Sequence, residues 1–294
     1  MSAPDVPVSP PPRGRKWSGD GPVKLSILMA AYNEERTVTA AIDAVLTREY
    51  PCEMELIVVD DGSSDRTPLL LAQHAHPSVT THRHTHNLGK GAALLTAGRL
   101  ATGTHILPFD ADLEYSPDDI PRLLEPVLQG RCDVVYGARL FGQNTVYQSY
   151  RYALGNEVMT LVANVLYDAH LADLHTCLKL IPLSLFRSLH LHSRGFGLDT
   201  EITACLLRLG IRPFEVPVSY FSRSHAEGKK ISWQDAVNCF RILGKVRFMR
   251  RDHVGPGGTA PWALPPPVHG FQAEHGLTGR WAALRHDVRG TSRR

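Results

Sequence analysis

The chain has 294 residues, of which 43% are hydrophobic and 21% are charged. That composition is ordinary for a soluble globular protein, and the length suits one large domain or two small ones. The net charge of +3 is too small to make nucleic acid a bulk electrostatic partner, so no nucleic acid is expected.

The first half of the chain alternates between predicted strands and helices. Residues 1–23 are rich in proline and are predicted to be a disordered lead-in. Apolar runs predict strands over 25–29, 55–59 and 79–84 and from Ile106 to Asp110, and helical spacing predicts helices over 36–48, 67–74, 89–100 and 118–128. This alternation indicates an α/β fold: a Rossmann-like, mostly parallel sheet with helices on both faces.

The second half is less regular. Strands are predicted over 132–137 and 212–221, and helices over 148–164, 199–209 and about 232–250. We therefore predict a single domain over residues 24–251. Residues 252–294 are rich in proline and glycine and are predicted to be a largely disordered tail.

Several features bear on the compartment. No apolar run is long enough for a transmembrane helix, and the N-terminal region lacks the apolar core of a signal peptide. The five cysteines are scattered without a C-x-x-C pair, which favours reduced thiols over disulfides or a zinc site. We expect a cytoplasmic protein that is not secreted and that contacts a membrane only peripherally.

Polar clusters follow three of the predicted strands, at 31–34, 60–65 and 110–114. Ligands on parallel sheets bind beyond the carboxyl ends of the strands. The three clusters are therefore expected to meet at one ligand-binding edge.

The cluster Asp110-Ala111-Asp112 ends an apolar segment in two carboxylates. If the strand continues through them, both side chains lie on one face, because side chains in a strand alternate. Two oxygen donors on one side can bind Mg²⁺ or Mn²⁺ and leave positions open for a diphosphate. An isolated D-x-D triplet is also common on solvated turns, so this pattern needs support from the rest of the chain.

A set of motifs in fixed order resembles the inverting glycosyltransferases of family 2, which have the GT-A fold. Within that family the set is most similar to dolichyl-phosphate mannose synthase and related polyprenyl-phosphate glycosyltransferases. The likeness covers about residues 24–250, and its motifs are Ala31-Tyr32-Asn33-Glu34, Asp60-Asp61-Gly62-Ser63-Ser64-Asp65, Asn87-Leu88-Gly89-Lys90-Gly91, Asp110-Ala111-Asp112, Tyr136-Gly137-Ala138-Arg139, Gly195-Phe196-Gly197-Leu198-Asp199-Thr200-Glu201 and the segment 223–229.

The resemblance implies a nucleotide-sugar site. The residues that it assigns to the donor are Ala31, Tyr32, Glu34, Asp61, Lys90, Asp110, Ala111, Asp112 and Arg139. Among these, Asp61 would contact the base or ribose and Arg139 would meet phosphate charge. Asp110 and Asp112 would hold Mg²⁺ or Mn²⁺ with the diphosphate, and Glu114 is a candidate third metal ligand.

The resemblance also implies catalytic and acceptor residues. The catalytic set is Asp112, Asp199, Glu201, Arg223 and Lys229, and of these Arg223 and Lys229 would bind an acceptor phosphate. Related enzymes often carry a different residue at Thr200, so the sequence leaves open which of Asp199 and Glu201 matters. The family's proline before the first motif is Ala30 here.

The residues permit two acceptor chemistries. A phosphate monoester is largely ionised near neutral pH, so a lipid phosphate needs cations rather than a base. A hydroxyl acceptor needs a carboxylate base, for which Asp199 or Glu201 is the candidate. The resemblance favours a polyprenyl phosphate acceptor at the membrane surface. A non-catalytic sugar-nucleotide-binding module is the alternative of another class, and a nicotinamide dehydrogenase is disfavoured because no G-x-G-x-x-G follows the first strand.

Three further features have competing interpretations. The helix over about 232–250 is amphipathic with a basic end, so it suits either an anionic membrane interface or ordinary core packing. His82, His84 and His86 alternate along one strand, and we expect a solvated edge rather than a metal site. The stretch from Asp173 to Lys179 suits a structural turn or an acceptor site equally.

Overall fold

The computed structural model describes residues 21–139, 145–146, 150–222, 233–249 and 254, and all of these lie in one compact unit. Its centre is a seven-stranded sheet in the order β3-β2-β1-β4-β7-β5-β8, beside a small sheet of β6 and β9. β7 is antiparallel to β4 and β5, whereas the other pairs of the central sheet are parallel. The strands are β1 (Lys24–Ala31), β2 (Glu53–Asp60), β3 (Val79–Arg83), β4 (His105–Pro108), β5 (Val135–Ala138), β6 (Thr145–Val146), β7 (Lys179–Pro182), β8 (Phe214–Pro217) and β9 (Tyr220–Phe221).

Helices follow most of the strands in the described part of the chain. They are α1 (Val38–Leu46), α2 (Thr67–Gln73), α3 (Lys90–Leu100), α4 (Ile120–Leu128), α5 (Tyr150–Tyr167), α6 (Leu183–Ser188), α7 (Gly197–Arg208) and α8 (Trp233–Phe248), with a short 3₁₀ turn at Pro117–Asp119. None of the described helices has the length and the hydropathy that crossing a bilayer would require.

The central strands are apolar because both of their faces are covered. In β1, every residue from Leu25 to Met29 is buried, and in β2 burial is continuous from Leu56 to Asp60. A strand that is buried on one face only would alternate between buried and exposed positions. The α/β class and the mostly parallel sheet predicted from the sequence are thus confirmed.

One prediction about the acidic cluster is wrong. β4 ends at Pro108, so the strand does not continue to Asp110, and Ala111 and Asp112 lie in a turn. Leu113 has a φ of 62°, in the left-handed region, which extended strands do not visit. The expectation that Asp110, Asp112 and Glu114 share one strand face therefore fails, although the cluster still follows directly from the strand.

The sequence also missed an antiparallel strand and the helix after it. β7 is only four residues long, begins with Lys179 and ends with Pro182, so it carries little of the apolar signal of a central strand. The adjoining α6 has six residues. Conversely, the strand predicted over 212–221 is divided into β8 and β9 after Pro217, and the strand predicted from 132 begins at Val135.

The C-terminal helix α8 has two different faces. Cys239, Leu243 and Val246 are buried, which supports the core-packing interpretation for that face. Val237 and Phe240 are 44% and 39% exposed, and Phe248 is 82% exposed. The predicted lead-in, apart from residues 21–23, and the predicted tail, apart from Val254, lie outside the described residues.

Candidate active site

The carboxyl ends of β1, β2 and β4 lie side by side, as the sequence predicted. Ala31 at the end of β1 pairs with Asp60 at the end of β2, and Leu28 pairs with Pro108 at the end of β4. The backbone N–H of Asp61 also donates to the carbonyl of Ala31, at 2.8 Å. The turns that follow the three strands therefore share one edge of the sheet, which brings their polar clusters together.

The first two turns hold each other through hydrogen bonds. The Asn33 N–H donates to Ser63 Oγ at 2.9 Å, and the Ser64 N–H donates to Asn33 Oδ1 at 2.9 Å. The Glu34 N–H donates to Thr67 Oγ1 at 3.0 Å. Tyr32 and Glu34 remain partly exposed at this rim. The serines thus organise the turn, while the rim side chains stay accessible to a ligand.

Asp61 is buried and organises the loop that leads into α3. Its Oδ1 accepts from the Leu88 N–H at 3.0 Å, and its Oδ2 accepts from the Gly89 N–H at 2.7 Å. His84 Nδ1 lies 2.7 Å from Asp61 Oδ1. A carboxylate at the N-terminus of a helix is favoured by the free N–H groups and by the helix dipole. The predicted contact of Asp61 with a base or ribose stays a prediction.

His84 differs from its two neighbours of the same type. His82 and His86 are exposed, as predicted for a solvated edge, but His84 is only 9% exposed and the prediction is wrong for it. Its second ring nitrogen, Nε2, lies 3.0 Å from Thr96 Oγ1 on α3. The strand alternation alone could not reveal this difference, because the partners come from the turn after β2 and from α3.

Lys90, the first residue of α3, reaches the acidic turn. Its Nζ lies 2.7 Å from Asp110 Oδ1, and both side chains are about one-fifth exposed, at 21% and 19%. Burial opposes the charge of Lys90, yet the neighbouring carboxylates of Asp110 and Asp199 raise its pKa well above the ordinary value. The ammonium group therefore stays charged beside Asp110.

The rest of the acidic turn has its own partners. Asp112 Oδ1 accepts from the Glu114 N–H at 3.0 Å. Glu114 is buried, and its Oε2 accepts from the Tyr220 hydroxyl at 2.6 Å. Ala111, between the two aspartates, is buried as well. Glu114 therefore ties the acidic turn to β9.

The turn suits a divalent ion that a substrate helps to bind. Within the described ranges, no group of three His, Cys, Asp or Glu side chains could hold a metal ion. Mg²⁺ often takes only one or two carboxylates, with phosphate and water oxygens completing its shell. Asp110 and Asp112 offer hard oxygen donors of that kind. Glu114 as a third metal ligand stays a prediction. One of its oxygens, Oε2, already accepts a hydrogen bond from Tyr220.

Arg139 forms a bidentate ion pair with Asp173. Its Nε and one Nη donate to the two carboxylate oxygens at 2.6 and 2.9 Å, and its guanidinium lies over the Tyr220 ring, 4.8 Å from the centroid. Burial alone would raise the pKa of the Asp173 carboxyl, but Arg139 lowers it to about 2. The predicted contact of Arg139 with phosphate stays a prediction.

The segment from Asp173 to Lys179 is held by partners inside the chain. Lys179 is completely buried, its Nζ donates to the carbonyls of Leu174 and Thr176, and burial lowers its pKa. His175 Nε2 lies 3.0 Å from Thr200 Oγ1, and burial lowers the pKa of His175 to about 4. These contacts favour the structural turn over the acceptor site.

The two base candidates, both on α7, have different surroundings. Asp199 is buried, with Oδ1 at 3.4 Å from Lys179 Nζ, and it acts on the Lys90 charge. Glu201 Oε2 accepts from the backbone N–H groups of His192 and Ser193, at 3.0 and 2.7 Å. Glu201 thus shapes the loop before α7, and Asp199 is the carboxylate on the side of the acidic turn.

The predicted acceptor residues Arg223 and Lys229 lie outside the described residues. The sequence did not single out Tyr220, Thr96 or the pairing of Arg139 with Asp173. Tyr220 lay within a predicted strand and Thr96 within a predicted helix, and no local pattern indicates which helix or strand packs against them. These residues can be recognised as candidates only in the folded structure, where their polar side chains are buried.

Comparison with known proteins decides the family. Residues 26–189 match the family model described as Glycosyl transferase family 2. The chain belongs to glycosyl transferase family 2. The family predicted from the motifs is confirmed.

Two relatives within glycosyl transferase family 2 illustrate how the chain compares with others. The low-salt glycan biosynthesis hexosyltransferase Agl6 of Haloferax volcanii is 27% identical over 228 residues, which cover 74% of this chain and 52% of Agl6. An undecaprenyl-phosphate 4-deoxy-4-formamido-L-arabinose transferase of Pectobacterium carotovorum is 33% identical over 129 residues, covering 42% of this chain and 39% of that protein. The chain thus spans about half or less of the length of these two relatives.

A solved structure shows the same fold. Glucosyl-3-phosphoglycerate synthase from Mycobacterium tuberculosis, in complex with Mn²⁺, UDP and phosphoglyceric acid, has a TM-score of 0.60 and 20% identity, covering 78% of this chain and 80% of that one. The same enzyme with Mg²⁺ and UDP gives a TM-score of 0.56. At this identity the likeness concerns the fold, and it confirms the GT-A fold predicted for this family 2 chain.

Proposed function

We propose that this chain is a metal-dependent inverting glycosyltransferase. It moves a hexose from a nucleotide sugar, of the GDP-mannose or UDP-glucose type, to a polyprenyl or dolichyl phosphate. The observation that carries the proposal is the meeting of the Asp110–Asp112 turn with the Lys90 ammonium, at 2.7 Å from Asp110, at the ligand-binding edge of the sheet. The names of the two relatives, a hexosyltransferase and an undecaprenyl-phosphate sugar transferase, support it.

The donor site would use charge to favour departure of the nucleotide. Asp110 and Asp112 would hold Mg²⁺ or Mn²⁺, which supplies a positive charge to the leaving diphosphate. Lys90 lies where it can meet the same phosphates, and the charge it carries stays in place because its pKa is raised. Tyr32 and Glu34, at the partly exposed rim, would line the nucleotide pocket, and Arg139 would meet phosphate charge from beside Asp173.

The acceptor would be bound by cations rather than activated by a base. Arg223 and Lys229 would offset the two converging anions of the donor and the lipid phosphate. A soluble or glycan hydroxyl is the second candidate acceptor. Asp199 favours that candidate, because this buried carboxylate lies near Lys90 and Lys179, on the side of the acidic turn.

We infer a peripheral position on the cytoplasmic face of a membrane. The exposed Phe240 and Phe248 of α8, with the exposed Arg241 and Lys245 on the same helix, suit an anionic interface. Co-sedimentation with vesicles of anionic and of neutral lipids tests this inference. Equal recovery in the supernatant with both lipids would contradict it.

A transfer assay tests the proposed reaction. Purified protein with Mg²⁺ or Mn²⁺ is offered radiolabelled GDP-mannose, UDP-glucose or UDP-GlcNAc, with and without polyprenyl phosphate. Label that enters the organic phase only when the lipid is present supports the lipid acceptor. Label on water-soluble glycans supports the hydroxyl acceptor, and nucleotide binding without transfer or donor hydrolysis supports a non-catalytic module.

The substitution Asp112→Asn tests the metal assignment. We expect a loss of metal-dependent transfer of roughly 100-fold or more, since a charge that stabilises the leaving group is worth several kcal/mol. The matched control is Asp43→Asn on α1, whose side chain is 57% exposed and pairs with His74. Unchanged turnover in Asp112→Asn would contradict the assignment of Asp112 as a metal ligand.

A further inference from the structure

His84 is a buried histidine whose two ring nitrogens both have partners. Nδ1 lies 2.7 Å from Asp61 Oδ1, and Nε2 lies 3.0 Å from Thr96 Oγ1. It follows directly after β3, whose last four residues, Thr80–Arg83, are all exposed. A buried imidazole with two hydrogen bonds has a fixed ring orientation, so His84 links the turn after β2 to α3.

The Asp61 carboxylate that His84 orients also holds the loop before α3. The same oxygen that faces His84 accepts from the Leu88 N–H, and the other oxygen accepts from the Gly89 N–H. Gly89 has a φ of +98°, and a Cβ at this position would lie 2.5 Å from the Arg194 carbonyl oxygen. The loop therefore has little freedom, and its position depends on the carboxylate that holds its N–H groups.

The loop in turn sets the position of Lys90. Lys90 follows Gly89 directly, and its Nζ lies 2.7 Å from Asp110 Oδ1 in the acidic turn. A shift of the Asp61 carboxylate would move the first turn of α3 and with it this ammonium group. Hydrogen bonds, the Leu88–Gly89 backbone and one ion pair thus connect His84 to the proposed donor site.

The hydrogen on Nδ1 follows from the partner of that nitrogen. The Asp61 carboxylate is an acceptor, as it is for the Leu88 and Gly89 N–H groups, so His84 Nδ1 donates to it across the 2.7 Å contact. On the other side, Thr96 Oγ1 accepts from Arg99 Nη2 at 2.9 Å, and as a hydroxyl it can also pair with His84 Nε2 in either direction.

We propose that His84 is a positioning residue for the donor nucleotide. By donating from Nδ1 to Asp61 it orients the carboxylate that holds the Leu88–Gly89 loop, and so keeps Lys90 in place beside Asp110. The inference rests on the proposed function, because the ligand that Lys90 meets is taken to be the diphosphate of the donor.

Two substitutions separate the donated hydrogen bond from the bulk of the side chain. In His84→Asn, the amide nitrogen can occupy the position of Nδ1 and donate to Asp61. In His84→Gln, the amide lies further out, near the position of Nε2. The matched control is His86→Asn, because His86 is exposed and belongs to the same segment.

The readouts are binding and the separate kinetic constants. Affinities for UDP and GDP with Mn²⁺ are measured by calorimetry, and KM and kcat are measured with the donor that the transfer assay identifies. We expect His84→Gln to weaken nucleotide binding and raise the donor KM by about tenfold, the usual effect of losing a hydrogen bond to a charged group, with kcat changed less. His84→Asn should retain most of the affinity, and His86→Asn should match the wild type.

Several outcomes would overturn the proposal. His84→Gln that binds as tightly as the wild type would do so, and so would a folded His84→Asn that binds as weakly as His84→Gln. A wild-type protein that binds neither nucleotide would overturn the proposed function and this inference together. Binding by the wild type with an unaffected His84→Gln variant overturns this inference alone.

A spectroscopic measurement keeps the inference testable if the variants do not fold. Histidine labelled with ¹⁵N in the wild-type protein reports the tautomer of His84 through the couplings of its ring nitrogens. The expected form carries a hydrogen on Nδ1, and its signals should shift when UDP or GDP binds with Mn²⁺. Hydrogen on Nε2 alone, or signals that do not respond to the bound nucleotide, would contradict the proposed linkage.

Discussion

At the scale of single residues, the ion pair of Arg139 with Asp173 is buried rather than exposed. The side chain of Asp173 is 1% exposed and that of Arg139 is 10% exposed. Asn156 Nδ2 and the His175 N–H add hydrogen bonds to the same carboxylate, at 3.0 and 3.1 Å. Removing one partner would leave an uncompensated charge away from water, which costs far more than losing a surface pair.

The substitution Asp173→Asn should lower the free energy of unfolding by about 3–5 kcal/mol, because it leaves the Arg139 guanidinium buried without its counter-charge. The matched control is Asp118→Asn, which breaks the pair of Asp118 with Arg48, where the two side chains are 58% and 48% exposed. That control should change stability by about 0–1 kcal/mol. Urea denaturation of both variants measures the difference, and equal losses would contradict the importance of burial.

At the scale of the elements, α3 carries Lys90, and the packing of α3 sets where that lysine lies. The far end of α3 is held by Arg187 of α6, which donates to the carbonyls of Gly98, Arg99 and Ala101. Gly98 also lies against the ring of Phe186, where an added Cβ would be 2.5 Å from Cε1. Because Phe186 is buried, its rigid ring has little room to move.

Two glycine-to-alanine substitutions in helices should therefore change the free energy of unfolding in opposite directions. Gly98→Ala should destabilise the protein by about 1–3 kcal/mol through overpacking against Phe186. Gly155→Ala on α5 adds a Cβ with no atom within 4 Å. It should be neutral or stabilise by up to about 1 kcal/mol, because alanine favours helix more than glycine does. Thermal and urea unfolding provide the measurement, and a stabilising Gly98→Ala would show that α3 and α6 can separate.

At the scale of the whole molecule, the free energy of unfolding depends on pH because buried histidines are neutral in the folded state. His105 at the start of β4 is completely buried, and burial lowers its pKa to about 4. In the unfolded chain the pKa returns to its ordinary value of about 6.5. Between these two values the unfolded state binds more protons, so stability is fully present above pH 6.5 and is lost as the pH falls towards 4.

The substitution His105→Phe should remove this part of the pH dependence. Over the full window one such group contributes up to about 3 kcal/mol, from the difference between its two pKa values. The free energy of unfolding of the wild type should fall more steeply between pH 7 and pH 4.5 than that of His105→Phe. His86→Gln, at an exposed position, should keep the wild-type slope. If His105→Phe also keeps that slope, His105 is not the source of it.

Many helices and strands, the shared edge of the sheet and the family could be predicted from the sequence alone. Apolar runs such as that in β1 and helical spacing such as that in α1 predict their elements, because these signals lie within a few neighbouring residues. The turn clusters after β1, β2 and β4 could be assigned to one edge because parallel strands align their carboxyl ends. The family followed from the order of the motifs.

The failures have a different physical origin. β7 was missed since Lys179 and Pro182 obscure a four-residue strand, whose identity comes from pairing with β4 and β5. The acidic turn was assigned to a strand because nothing local indicates that β4 ends at Pro108. His84 was assigned to the surface because its strand neighbours are exposed. For β7 and His84 the deciding contacts come from residues distant in the chain.

By itself, the sequence determined the α/β class, the family and the group of residues at the carboxyl edge of the sheet, because each depends on local patterns or on their order. Only the tertiary structure decided which polar side chains are paired: Lys90 with Asp110, Arg139 with Asp173 and Asp61 with His84. These pairs join residues between 20 and 34 positions apart in the printed sequence, and a polar group gains or loses energy according to its neighbours in space. Long-range contacts of this kind exist only once the chain has folded.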